Sequence, residues 1–222
     1  MKINVIIPTY KPDEKFERNL RMLRRQTLQP DRILIINTEE SLFHSKEFGK
    51  LPQGEIIHIK KSEFDHGGTR NRAAAMCDGD IIVLLTQDAI PADEYLLENL
   101  TKPFEDPEVC AAYGRQMADW KDNPVEAYTR TFNYPKESRI KSKEDLPVLG
   151  IKTFFCSNVC AAYRKSVYDA MGGFPLHTIF NEDMIFASRL IEAGKKIAYT
   201  ADAKVWHWHN YGAVEQCKRN FD

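Results

Sequence analysis

The sequence predicts an α/β fold with a mostly parallel central sheet flanked by helices, and three observations carry that expectation. The apolar run Ile3–Ile7 ends in Pro8-Thr9-Tyr10, and a second run, Ile81–Leu85, ends in Thr86-Gln87-Asp88. Short, β-branched apolar runs bounded by turn residues read as strands buried on both faces. Around them, strand-like and helix-like patterns alternate as far as Tyr113, the order that parallel strands with crossover helices require. Such sheets bind ligands at the carboxyl ends of their strands. Polar residues following the two runs therefore point to a nucleotide site.

Each further element follows from local pattern. Lys11-Pro12-Asp13 turns the chain into a helix on which Phe16, Leu20, Leu23 and Thr27 recur at helical spacing. Ile33–Ile36 and Ile56–Ile59 are the second and third strands. Asp65-His66-Gly67-Gly68-Thr69 reads as a glycine-rich turn, with Thr69 as N-cap of a helix over Arg70–Cys77. Pro91-Ala92-Asp93 opens a helix containing Leu96, Leu97 and Leu100, and Val109–Tyr113 is a strand. Arg115–Thr153 is longer, more charged and less periodic, and is expected to be an insertion or mobile flap. It holds a helix near Val125–Phe132 and a mixed-charge stretch at Lys136–Asp145. Val159–Tyr163 resumes strand character, and Ser166–Met171 is a short helix ended by Gly172-Gly173. Glu182–Ala193 is a helix with Ile185, Phe186, Leu190 and Ile191 inward, and Ile197–Tyr199 and Val205–Trp208 are two closing strands.

Bulk properties narrow the function. The 222 residues, 43% of them hydrophobic, suit one large domain. A net charge of −1 provides no global basic field, so nucleic acid is not an expected partner. Arg18, Arg21, Arg24 and Arg25 fall on one expected helix, as a solvated face or a local basic one. Of the five cysteines, Cys156 and Cys160 are three residues apart, without the paired ligands of a zinc site. Reduced thiols in a cytoplasmic protein are expected. No apolar segment approaches the roughly 20 residues of a membrane span, and the first run is too short for a secretion signal.

Several constellations at strand ends and helix starts could carry chemistry. Pro8-Thr9-Tyr10 can wall a nucleobase or form a plain turn. Gly67-Gly68-Thr69-Arg70-Asn71 offers a helix N-terminus to an anion, or is a glycine turn with a surface arginine; it matches neither the dinucleotide nor the Walker fingerprint. Asp88, at a strand mouth, can hold Mg²⁺ or Mn²⁺, or terminate a turn. Glu182 and Asp183 open a helix, where acids complement the dipole and where a catalytic base would look the same. In Trp206-His207-Trp208-His209, alternation sets both histidines on one face, where one can complete a metal site.

In order along the chain, these motifs resemble family 2 of the inverting, nucleotide-sugar-dependent glycosyltransferases. The match runs through Val5–Tyr10, Gln26-Thr27, Thr69-Arg70-Asn71, Asp78-Gly79-Asp80, Gln87-Asp88, Gly172-Gly173-Phe174, Glu182-Asp183, Arg189 with Gly194, and His207. Phe64–Asn71, Leu85–Ala89 and Ser157-Asn158 look more narrowly like the bacterial rhamnosyltransferase branch.

The resemblance implies a GT-A type fold with a Rossmann-like central sheet. Residues 1–222 would be a single catalytic domain, 1–113 the nucleotide-sugar-binding half and 114–222 the acceptor and catalytic half, trimmed at the C-terminus. It also implies roles. Pro8, Thr9 and Tyr10 line the base pocket, Arg70 reaches base or phosphate, and Asp88 binds the metal. His207 or His209 lies nearby, Asp183 is the general base and Glu182 its acidic neighbour. Two departures stand out: Asn37-Thr38 replaces an acidic residue, and Thr86-Gln87-Asp88 replaces a more acidic motif. Asn37 would still lie among the donor-binding residues, and Gln87 would make a weaker contact to ribose hydroxyls, which a dTDP-sugar has fewer of than a UDP-sugar.

The expected partners are a dTDP- or UDP-sugar donor, a lipid-linked or polysaccharide acceptor, and peripheral contact with the inner face of the cell membrane. Rival classes are a nucleotidyltransferase, which would need a glycine-rich signature with a lysine near the N-terminus, and a non-catalytic glycan-binding relative.

Overall fold

A computed structural model describes residues 1–119, 121, 124–178 and 180–209. A further helix, which the sequence allows around Arg219–Asp222, lies outside these residues. The chain runs β1 (Ile3–Tyr10), α1 (Glu14–Leu23), β2 (Arg32–Thr38), β3 (Gly54–Ile59), α2 (His66–Ala75), β4 (Ile81–Leu85), β5 (Ile90–Pro91) and α3 (Leu96–Thr101). It continues through β6 (Val109–Met117), α4 (Pro124–Asn133), β7 (Arg139–Lys141), α5 (Leu146–Leu149), β8 (Cys160–Arg164), α6 (Lys165–Ala170), α7 (Glu182–Glu192) and β9 (Lys196–Trp206).

One sheet joins them in the order β3-β2-β1-β4-β8-β6-β9-β5, with β7 also paired to β9. The ladders β1–β2, β1–β4, β2–β3 and β6–β9 are parallel. β8 enters antiparallel between β4 and β6, so its first residues lie beside the carboxyl ends of both. That inversion brings the ends of β1, β4, β6 and β9 and the start of β8 to one edge.

Alternation along the parallel strands divides the core in two. Val5, Ile7, Ile33, Ile35, Val83 and Leu85 pack with Phe16, Leu20 and the leucines of α3. Ile6, Leu34, Ile36, Ile82 and Leu84 face Tyr163, Phe174, Phe186 and Leu190 instead. Each fully buried side chain of this size contributes roughly 1.5–3 kcal/mol. α1 starts where the Asp13 carboxylate accepts from the Lys15 and Phe16 amides, a cap worth about 1 kcal/mol.

Several local expectations are corrected. α2 begins at His66, capped by Asp65 accepting from Gly68 N, so Thr69 lies inside the helix and both glycines in its first turn. Gly67 is there for close approach: a Cβ would sit 2.0 Å from the Pro175 carbonyl oxygen. Pro91 belongs to β5, and the helix starts only at Leu96. Thr27 is exposed beyond the end of α1, and Ile185 is 38% exposed. All four arginines are exposed, as a solvated face would have them; Arg24 caps α1, Arg25 lies beyond it, and Arg21 and Arg24 pair with Glu14 and Glu47.

The expected flap is built into the sheet, since β7 pairs with β9 and buried Lys141 donates to the Phe155 carbonyl. The two closing strands are one, interrupted between Thr200 and Lys204, which pair with adjacent Gly114 and Arg115. Ala201 packs in one half-core and Ala203 in the other, so the alternation in sequence breaks at that bulge.

Candidate active site

The shared edge gathers three groups of side chains. At the end of β1, the Thr9 hydroxyl donates to Asn37 Oδ1 at 3.1 Å, and both residues are buried. Asn37 Nδ2 donates to the Glu39 carbonyl and lies 3.0 Å from His58 Nδ1. Tyr10 is 40% exposed, leaving its ring available to a ligand. Gln87 uses both ends of its amide on the Tyr10 backbone, accepting from N at 2.9 Å and donating to O at 3.2 Å. The expected ribose contact of Gln87 thus gives way to a tie between the ends of β1 and β4. Asn19, on α1, fastens the same loop by donating to the Thr86 carbonyl at 3.2 Å.

The second group is Asp88 with His207 and His209, whose ligand atoms all lie within 4.8 Å of one another. Asp88 Oδ2 is 3.5 Å from His207 Nε2 and 3.7 Å from His209 Nδ1. Burial alone would raise the Asp88 carboxyl, but the hydrogen bond and charge that His207 supplies in its protonated form, with His209 beside it, hold it well below the usual range. The group is therefore an anion at any physiological pH. One carboxylate and two imidazoles within reach of a single point fit a divalent ion, and the nitrogen donors suit Mn²⁺ better than Mg²⁺.

A buried network backs this cluster. The ring of His207 places Nδ1 2.9 Å from Gln116 Oε1 and 3.1 Å from Arg130 Nη2. Gln116 Oε1 also accepts from Arg130 Nη1, while its Nε2 donates to the Tyr134 hydroxyl and to Ser157 Oγ. Glu126, on α4, accepts from Arg130 Nη2 at 3.0 Å and from the His209 amide at 3.0 Å. Lys15 donates to the Trp208 carbonyl and lies 4.3 Å from that ring's centroid.

The third group is the acid pair opening α7. Asn181 precedes it in the left-handed region, φ 67°, which asparagine tolerates. Glu182 turns inward, 3.3 Å from Arg70 Nη1 and 3.1 Å from Asn158 Nδ2. Asp183 accepts from the Asn158 amide at 2.9 Å and from the Met184 amide at 2.8 Å. Asn158 is itself held by the Tyr163 hydroxyl at 2.8 Å. Burial, with the Glu182 charge beside it, pushes the Asp183 carboxyl up to about 6. That is the range in which a carboxylate can act as a general base near neutral pH.

Arg70 does not lie open to a base or phosphate. It is buried, donates to the His66 carbonyl at 2.8 Å and pairs with Glu182. Its neighbour Asn71 holds the Gly172-Gly173-Phe174 turn, accepting from Phe174 N and donating to Phe174 O, both at 2.9 Å. Thr69-Arg70-Asn71 thus braces the acid pair and a neighbouring turn. Gln116, Arg130 and Glu126 were not among the expected site residues. The available signal for Gln116 was slight: a polar side chain beside Arg115 near the end of β6, beyond its apolar run Val109–Tyr113.

Residues 4–172 match the family model described as Glycosyl transferase family 2. The chain is 44% identical over 223 residues to the O-antigen chain rhamnosyltransferase RfbN of Salmonella typhimurium, covering 100% of this chain and 71% of that protein. It is also 44% identical over 220 residues to the O-antigen chain rhamnosyltransferase WbaN of Salmonella anatum, covering 98% of this chain and 70% of the relative. The fold is similar to that of the mannosyltransferase PcManGT from Pyrobaculum calidifontis, solved in complex with GDP-Man and Mn²⁺. The TM-score is 0.71 at 17% identity, over 98% of this chain and 59% of that one. At that identity the likeness is one of fold, and this chain spans less than two thirds of the solved one.

Proposed function

The chain belongs to glycosyl transferase family 2 and has the GT-A type fold, and from that premise we propose that it transfers L-rhamnose from dTDP-rhamnose, with inversion, to a hydroxyl of a growing bacterial surface glycan. The observation that carries the reaction is Asp183, a partly buried carboxylate at about 6 beside an inward-turned Glu182. The 44% identity to two O-antigen chain rhamnosyltransferases supports the sugar and the class of acceptor.

In this reading the catalytic domain has a donor half, residues 1–113, and an acceptor half from residue 114 onward, sharing one sheet. Pro8, Thr9, Tyr10 and Asn37 wall the nucleoside pocket. Asp88, His207 and His209 would hold a divalent cation, whose charge would favour departure of the nucleotide diphosphate. Asp183 takes the acceptor's hydroxyl proton as that oxygen bonds to the anomeric carbon. The bond from that carbon to the diphosphate oxygen breaks on the opposite face. The configuration inverts, and no protein nucleophile takes part. Glu182, held by Arg70 and Asn158, keeps the base weakly acidic and positioned.

No helix among the described residues is long and apolar enough to cross a membrane. A cytoplasmic enzyme touching the inner face of the membrane at its periphery fits a lipid-linked acceptor.

Calorimetry in Mn²⁺ with dTDP-rhamnose, UDP-glucose and UDP-N-acetylglucosamine tests the donor. dTDP-rhamnose is expected to bind tightest, and clearly tighter binding of a UDP-sugar overturns that assignment. Prolonged incubation with the preferred donor tests the reaction class. A transferase slowly releases nucleotide diphosphate, a nucleotidyltransferase releases pyrophosphate, and a non-catalytic binder releases neither.

A further inference from the structure

We infer that Gln116 is a positioning residue that fixes the tautomer of His207, leaving a bare Nε2 aimed at Asp88. The use of that nitrogen rests on the metal-site reading above, whereas the tautomer itself does not.

The inference starts from Arg130. A guanidinium has donors and no acceptor, so the Gln116 atom facing Arg130 Nη1 has to be the amide oxygen. The opposite end agrees, because Nε2 lies 2.5 Å from the Tyr134 hydroxyl and 2.9 Å from Ser157 Oγ. The orientation of this amide is thereby settled by chemistry. All of its hydrogen-bonding positions are used, and the residue is 2% exposed, so the side chain cannot turn without orphaning several buried polar groups.

An amide oxygen only accepts. The ring nitrogen 2.9 Å from it, His207 Nδ1, therefore carries the proton. In a neutral imidazole the other nitrogen is then an unprotonated acceptor. That nitrogen, Nε2, faces Asp88 Oδ2 at 3.5 Å. A lone pair opposite a carboxylate is repulsive by itself and favours a cation held against both.

The competing arrangement is visible in the same contacts. Arg130 Nη2 lies 3.1 Å from Nδ1. Were it to donate there, the proton would move to Nε2 and close the site as an internal His207–Asp88 hydrogen bond. Nη2 has two hydrogens, one of them on Glu126 Oε1 at 3.0 Å; with the second on Nδ1, the lone pairs of Nδ1 and of Gln116 Oε1 would face each other at 2.9 Å, a repulsion that the Nδ1–H form removes. Gln116 thus holds the ring in its ligating form, in the way that outer partners of metal-bound histidines do.

The test uses the whole chain. In the metal-free protein at mildly alkaline pH, ¹⁵N spectra of the histidine ring, assigned through His207→Asn, should show His207 protonated on Nδ1. Gln116→Leu removes the acceptor and should move the proton to Nε2. It should also weaken Mn²⁺ binding, measured by calorimetry with the metal alone, by about 10–100-fold. Gln116→Glu keeps an acceptor and should keep the Nδ1 tautomer even if the Leu variant does not fold. An Nε2–H ring in the wild type, or unchanged Mn²⁺ affinity in a folded Gln116→Leu, overturns the inference. If the wild type binds no Mn²⁺, the metal reading fails, while the tautomer still decides the role of Gln116.

Discussion

The raised carboxyl of Asp183 makes a pH profile the sharpest test of the base. A carboxylate accepts a proton only when ionised, so the rate should rise with pH through the Asp183 midpoint at about 6. One unit below that midpoint about a tenth of the enzyme has the base ionised, so kcat/KM near pH 5 should fall roughly tenfold from its neutral plateau. Loss of metal through histidine protonation would bend the same profile, and Glu182→Gln separates the two effects. The Glu182 charge is one of the causes raising Asp183, so removing it should move the midpoint to lower pH. A limb set by His207 or His209 would not follow that substitution in this way. The assay is the initial rate of nucleotide diphosphate release with acceptor present, at saturating Mn²⁺. A flat profile down to about pH 5 refutes the assignment, as does a midpoint that stays or rises in Glu182→Gln.

Two further outcomes follow from the same geometry. Asp88→Ala removes the only carboxylate of the cluster and should abolish Mn²⁺-dependent donor binding with little change in melting temperature; retained Mn²⁺-dependent affinity would count against the site. Arg70→Met leaves Glu182 buried without its cation, with side chains 8% and 7% exposed in the present pair. The expected cost is about 3–5 kcal/mol in denaturant unfolding, and much of it should return in Arg70→Met/Glu182→Leu; if the double variant is no more stable than the single, the pair is not what Arg70 supplies.

The fold was legible where burial imposes a simple pattern. β1, β2 and β4 are inner strands buried on both faces, so their apolar runs announce them. Boundaries were less legible where two residues compete for one task. Asp65 and Thr69 are both good caps, and the packing of Gly67 on Pro175, more than a hundred positions later, decides for Asp65. The bulge in β9 hid one strand as two, because a period of two cannot be followed across extra residues. At the site, Asp88, His207, His209 and the acid pair could be named from their places at strand ends and a helix start. Their supporting partners could not. The contact of Gln116 with His207 spans 91 residues, and no local pattern encodes it. The same holds for Arg70, whose forked donor suited a phosphate until the fold set Glu182 against it.

The dipeptide Ser157-Asn158, just ahead of β8, has a consequence for anyone redesigning this enzyme. One residue takes a hydrogen bond from the Gln116 amide behind Asp88, His207 and His209, and the next grips both members of the acid pair. The proposed donor end and the proposed acceptor end thus hang from one dipeptide. Changes that reshape one end will tilt the other, so substitutions chosen separately at the two ends should combine non-additively. A library intended to alter the sugar or the acceptor would do better to vary both ends together and leave this dipeptide alone.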